Sequence, residues 1–152
     1  MSTTTTQSRR NDPVLQFSVF TANRLGRLHD LIGFFSSHRV HVMGLTVLDT
    51  TDSAIIRLVV DDPDEARTVL HEHGFAFTES KLVVVELDAA TDLARLTAAL
   101  LEAELNVNYL YSFIARSHGK PLLALSMEDN DVAEKVLKKH QFRVVHQADI
   151  SR

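Results

Sequence analysis

The sequence predicts an α+β fold in which one strand–helix–strand–strand–helix–strand unit is written twice. Three observations predict it. First, the chain matches itself: laying Leu28 on Leu93 also brings Leu31 onto Leu96, Phe35 onto Leu100, Val40 onto Leu105, Val42 onto Val107 and Leu45 onto Leu110. Two residues are then gained in a hairpin, after which Asp62, Asp64, Ala66, Val69, Leu70, His73 and Phe75 fall on Asp129, Asp131, Ala133, Val136, Leu137, His140 and Phe142. Second, strand-like runs and helical i, i+3, i+4 spacings follow each other in the same order in both copies. Third, a repeat this long is a small domain rather than a solenoid turn.

Val14 to Phe20 is β-rich and reads as a strand. The turn Thr21-Ala22-Asn23-Arg24-Leu25-Gly26 opens a helix whose apolar positions are Leu28, Leu31, Ile32 and Phe35, ending near Ser37-His38. Val40 to Leu48 and Ala54 to Val60 read as strands around the hairpin Asp49-Thr50-Thr51-Asp52. Asp62-Pro63 starts a second helix, since proline suits a first turn that needs no amide hydrogen. Ala66, Val69 and Leu70 face its core, Gly74 stops it, and Phe75 to Thr78 is a short fourth strand. In the second copy the strands are Leu82 to Leu87, Val107 to Ala115, Leu122 to Met127 and Phe142 to His146, with a hairpin at Arg116 to Lys120. Its helices are Thr91 to Glu104 and Asp131 to His140. Glu79 to Lys81 is the only joint, so the expected division is a disordered tail at 1–13 and domains at 14–79 and 80–152.

Each unit then forms a four-stranded antiparallel sheet with both helices on one face. A half-solvated strand alternates apolar and polar residues. Here both parities are apolar: Phe17 and Val19 but also Phe20, Val83 and Val85 but also Leu82 and Val84. The second face is therefore expected to be covered, most simply by a second copy of the chain in a homodimer.

The 152 residues carry a formal net charge of −4, which gives no general attraction to nucleic acid or anionic lipid. No apolar stretch approaches the ~20 residues of a membrane helix. Met1 to Pro13 is polar, with the run Thr3 to Thr6, and has no signal-peptide core. The absence of cysteine removes thiolate catalysis and thiolate metal sites and fits the cytoplasm.

The doubled unit, with Asn23-Arg24-Leu25-Gly26-Arg27-Leu28 at its first strand-to-helix turn, resembles tandem ACT domain proteins, small amino-acid-sensing regulatory modules. The likeness runs from about Val14 to His146. The family turn usually reads Asn-x-Pro-Gly-x-Leu, and here Leu25 replaces the proline. Val40-His41-Val42 and Leu105-Asn106-Val107 look like the family's second-strand start. The resemblance implies two ferredoxin-like domains joined edge to edge, with a ligand between the first turn of one and the second-strand start of the other. It implies a site of Asn23, Leu25, Gly26 and Arg27 facing Asn106, Val107 and Asn108. Helix-start amides suit a carboxylate, and asparagine both donates and accepts. The reciprocal site, Asp88 to Thr91 with His41, departs from the pattern, because Asp88 repels a ligand carboxylate and no glycine matches Gly26. One site per chain is expected.

Plainer readings compete at several positions. Asn23 can be a helix cap and Gly26 a turn glycine. The eight histidines show no His-Glu-x-x-His spacing, and no metal site or cofactor is expected. Tyr109, Tyr111 and Phe113 share a strand face, but a base-stacking platform needs aromatics on the first and third strands, so packing at the core or between the halves is expected. Asp61-Asp62 and Glu128-Asp129 recur at helix starts, where acids complement the dipole. No nucleophile–base pair or phosphate loop supports an enzyme. The expected function is a non-catalytic amino-acid sensor. The alternative is a regulatory subunit controlling a separate biosynthetic enzyme, similar to acetolactate synthase small subunits.

Overall fold

The repeat is present in the backbone, and the two halves share a strand that runs through the expected joint. The computed structural model describes residues 11–22 and 26–151. In the first unit, β1 (Val14–Ala22), α1 (Arg27–Ser37), β2 (Val42–Asp49), β3 (Ser53–Val60) and α2 (Pro63–Glu72) lead into β4 (Ala76–Glu86). The second unit continues through α3 (Asp92–Glu102), β5 (Val107–Ser117), β6 (Lys120–Met127), α4 (Asn130–Lys139) and β7 (Arg143–Val145), and ends in a short helix α5 (Gln147–Ile150). The expected fourth strand of one half and first strand of the next are thus one strand, with the supposed joint Glu79–Lys81 in its middle.

The first stretch of β4 pairs with β1, from Phe20↔Ala76 to Val14↔Leu82. Its second stretch, Val83–Glu86, pairs with β6, and Val84–Glu86 pair also with β7. Each unit keeps the strand order of a ferredoxin-like sheet, last–first–third–second. The two second strands meet at Gly44↔Phe113. The strand order β1-β3-β2-β5-β6-β4, together with the β1–β4 pairing, closes a ring of six antiparallel strands. The two units thus meet edge to edge and share one closed sheet, rather than standing clearly apart as two ferredoxin-like domains.

Three apolar clusters fill the molecule. One joins Phe17, Val19, Ile56 and Leu58 of the first sheet to Leu31, Phe35, Val69 and Leu70 of its helices. Its counterpart joins Val83, Val85, Leu123 and Leu125 to Leu96, Leu100 and Leu137. The third lies inside the closed sheet, with Val14, Val59, Leu82, Val84, Phe113, Leu122, Ala124 and Ile150. Most of the apolar second parity of the strands, Leu82 and Val84 included, is therefore buried against the chain's own other half, while Phe20 stays 43% exposed. The second copy expected to cover that face is not needed for it.

Local chemistry explains the element boundaries. Asp62 and Asp129 cap α2 and α4, accepting from the amides of Glu65 (3.2 Å) and Val132 (3.1 Å). These two are caps as well as dipole partners. The terminal segment was not foreseen. Gln147 accepts from the Leu15 amide (3.0 Å) and donates to the Val60 carbonyl (3.2 Å), tying the end of the second unit to the first.

Candidate functional site

The two strand-to-helix turns differ between the duplicated units. In the first, Gly26 precedes α1 with φ +92°, a left-handed conformation that glycine adopts without strain. A β-carbon there would meet nothing within 4 Å, so the backbone angle and not crowding calls for glycine. Glycine offers no side chain to cap the first amides of α1. Arg27 follows, its guanidinium 4.6 Å from the centre of the Phe75 ring. Asn23, Arg24 and Leu25 lie outside the described residues.

The second turn is closed by its own carboxylate. Asp92 accepts from the amides of Asp88 (2.8 Å) and Ala89 (3.3 Å) and lies 3.5 Å from Arg95. The Asp88 amide, then that of Ala89 and the Arg95 charge, hold the Asp92 carboxyl below the usual carboxylate range. Asp88 is itself engaged, 2.6 Å from the Lys120 ammonium, and this contact raises the pKa of Lys120. The second turn is also one residue shorter. Phe17 and Val19 of one strand match Val83 and Val85 of the other in facing the helices, whereas Leu31 and Phe35 match Leu96 and Leu100. Counted from the strands, Asp88 stands on Ala22 and not on Asn23.

The facing elements are duplicated as well. His41 and Asn106 sit at corresponding positions before β2 and β5. His41 is held by Asp61, through its amide (2.8 Å) and its Nδ1 (2.7 Å). Asn106 donates from Nδ2 to Glu128 (3.3 Å). The acid before each second helix therefore anchors the residue before each second strand. Asn106 and Asn108 are exposed and Val107 is half-buried. Register places the end of β1 (Ala22↔Ser53) and the β2–β3 hairpin at one end of the sheet, and the antiparallel β2–β5 bridge brings the start of β5 toward that end. β3 and β2 lie between β1 and β5. Among the described residues no hydrogen bond or ion pair joins Arg27 to Asn106 or Asn108.

The remaining sequence candidates have ordinary partners. His73 stacks on Phe34 (3.7 Å between ring centres), while His71 meets Phe77 edge-on (5.0 Å). His38 pairs with Glu65 at 3.2 Å. Among the described residues no three metal-ligating side chains gather. Tyr109 and Tyr111 point into the closed sheet, where fully buried Gln16 donates to the Tyr109 hydroxyl (2.6 Å) and accepts from that of Tyr111 (2.7 Å). Burial raises the pKa of Tyr111 strongly. These aromatics pack between the halves, as their strand position implied.

The model of a family described as an ACT domain pair matches residues 13–152. The chain belongs to that family. No curated protein sequence matches it. Among solved structures, protein BT0572 from Bacteroides thetaiotaomicron is similar over 92% of this chain and 96% of its own, with TM-score 0.83 and 23% identity. The regulatory subunit of aspartate kinase from Thermus thermophilus is similar over 85% of this chain and 91% of its own, with TM-score 0.61 and 12% identity. The aspartokinase alpha and beta subunits reach TM-score 0.53 at 14% identity, over 86% of this chain and 97% of theirs. At these identities the likeness is one of fold. Among the described residues no helix of this ACT pair is long and apolar enough to cross a membrane.

Asp92 is the residue that sequence reasoning passed over. Its only signal was an acid just ahead of Leu93, at a helix start with no glycine.

Proposed function

We propose that this ACT pair is a regulatory module that binds one free amino acid per chain. The ligand carboxylate meets the α1 amides at Gly26 and Arg27, with Asn23 and Leu25 from the same turn. The start of β5, with Asn106, Val107 and Asn108, is three strand steps from β1, about 14 Å along the sheet, so it meets the rest of such a ligand from a second copy of the chain. One observation carries this reading: the first turn has a left-handed glycine where the second is filled by Asp92. A helix start favours an anion, whereas a turn already holding a carboxylate does not. Asn106, anchored by Glu128, keeps a donor and an acceptor at the strand start.

The test is thermal-shift screening of the full chain against the standard amino acids, followed by calorimetry on any that stabilise it. Asn23→Ala and Asn106→Ala weaken binding, and Asp88→Ala leaves it unchanged. Equal losses in all three variants contradict the reading.

A second reading makes the chain a regulatory subunit of a separate biosynthetic enzyme. The aspartate kinase regulatory subunit shares the fold, and Leu110 and Ile114 on the outer side of β5 are 49% and 70% exposed. The same two residues are what now argues for a homodimer. Sedimentation of the chain alone, then with a captured enzyme, separates the two uses of this surface.

A further inference from the structure

The helix-free face of the first sheet continues past the part that the second unit covers. Strand pairing arranges its side chains in rows. One row runs Phe20–Ile55–Leu48, since Ile55 stands opposite Phe20 on one side and Leu48 on the other. It is apolar and open: Phe20 is 43% and Leu48 48% exposed. The next row inward runs Thr78–Ser18–Arg57–Thr46 and is wholly polar. Below it lies the buried Gln16 with its two tyrosine hydroxyls.

Arg57 is the unusual member. Its guanidinium carbon lies over the Tyr109 ring, 4.0 Å from the ring centre. Its Nε is buried and has no acceptor. Among the described residues its side chain enters no hydrogen bond or ion pair. A buried guanidinium donor without an acceptor is costly, and a ligand that brings one recovers that cost. The second unit shows no such arrangement, because the corresponding interior positions on β4 and β6 are Val84, Leu122 and Ala124.

We propose that this face is a second small-molecule site, for an apolar molecule ending in a single carboxylate. The carboxylate meets Arg57, with the hydroxyls of Ser18, Thr46 and Thr78 as additional donors. One guanidinium among neutral hydroxyls matches a monoanion better than a phosphate dianion. The apolar body lies on the Phe20–Ile55–Leu48 row, which an ionic ligand alone leaves unused. This site uses the face of the sheet that carries no helix, whereas the β1–α1 turn leads onto the face that carries α1.

The experiment is an amide-resonance titration of the full chain with phenylacetate, and in parallel with phenylacetamide, which keeps the ring and loses the charge. Phenylacetate shifts the resonances of Ser18, Thr46 and Arg57, and phenylacetamide binds at least about tenfold more weakly, the size of one charged hydrogen bond. Arg57→Gln abolishes that preference, while Arg57→Lys keeps part of it. Should Arg57→Gln fail to fold, the exposed Leu48→Ser supplies the test by weakening phenylacetate binding with an unchanged melting curve. The proposal is overturned if no resonance on this face moves, if acid and amide bind alike, or if Leu48→Ser binds phenylacetate as the wild type does. It is equally overturned if sedimentation shows a dimer that Phe20→Ser dissolves, since the row then belongs to a second copy.

Discussion

The two strand-to-helix turns stand at the same place in the repeat and are built differently. The first has a glycine at φ +92° followed by Arg27. The second is shorter and folds around Asp92, whose carboxylate takes the amides of Asp88 and Ala89. Core positions do not diverge this way: Leu31 and Leu96, or Leu70 and Leu137, do the same work in each unit. A duplicated scaffold needs both copies of its core to stay folded. If the first turn takes the ligand, as proposed, the second is free to be filled by the chain itself.

The comparison can be broken at several points. The largest effect is expected at the seam, where the units have no slack. A β-carbon on Gly44 would stand 2.7 Å from Cδ1 of Phe113. Gly44→Ala is expected to destabilise the fold by about 1–3 kcal/mol in chemical denaturation, and Phe113→Leu in the same chain to restore part of it. Next comes Gly26→Ala. It meets no neighbour, so its cost is the left-handed backbone alone, about 1–2 kcal/mol. It also removes amino-acid binding, whereas Thr91→Ala in the other turn stays within ~0.5 kcal/mol of wild type.

Asp92→Asn sharpens the comparison through pH. The folded chain holds this carboxyl below its usual range. Its contribution is therefore present above the unfolded pKa and is lost as pH falls through the folded one. The melting temperature of Asp92→Asn is expected to lie below wild type at neutral pH, with the gap closing on acidification.

The smallest effect is expected at a pair of matching contacts of opposite polarity. In the first unit Arg67 of α2 reaches Glu79 of β4 at 2.6 Å. In the second, Glu134 of α4 reaches His146, after β7, at 2.8 Å. The Arg67 hydrogen bond holds Glu79 below the usual range. Burial opposes ionisation of Glu134, but hydrogen bonds from Lys138 and His146 outweigh it. Glu79→Gln is expected to cost less than about 1 kcal/mol, as partly exposed pairs do. Its cost is independent of pH near neutrality, and Glu134→Gln, which loses contacts to both Lys138 and His146, is expected to cost at least as much.

Element order, the two helical cores and the turn at Gly26 were legible because each rests on local pattern: helical spacing in Leu28–Phe35, a proline at Pro63, an acid cap at Asp62. The closure was not. Nothing local distinguishes two strands joined at Glu79–Lys81 from one continuous β4, because the residues that decide it, Val14 and Leu82, are far apart in sequence. The apolar second parity correctly announced a covered face, but one sequence cannot say whether its own second half or another copy covers it. The candidate site was legible as residue types and not as states. Asp88 drew attention as an unmatched acid, yet Lys120 already pairs with it, and the filling group is Asp92. The helix-free face was hidden because Arg57 reads as a polar break in an apolar strand until Tyr109 is placed beneath it.

The stoichiometry of amino-acid binding tests the contrast between the glycine turn and the turn filled by Asp92 most directly. Calorimetry on wild type, Gly26→Ala and Asp88→Ala, with the amino acid that screening selects, is expected to give one site per chain, lost in the first variant and unchanged in the second. Two sites per chain, or binding that survives Gly26→Ala, would contradict the account.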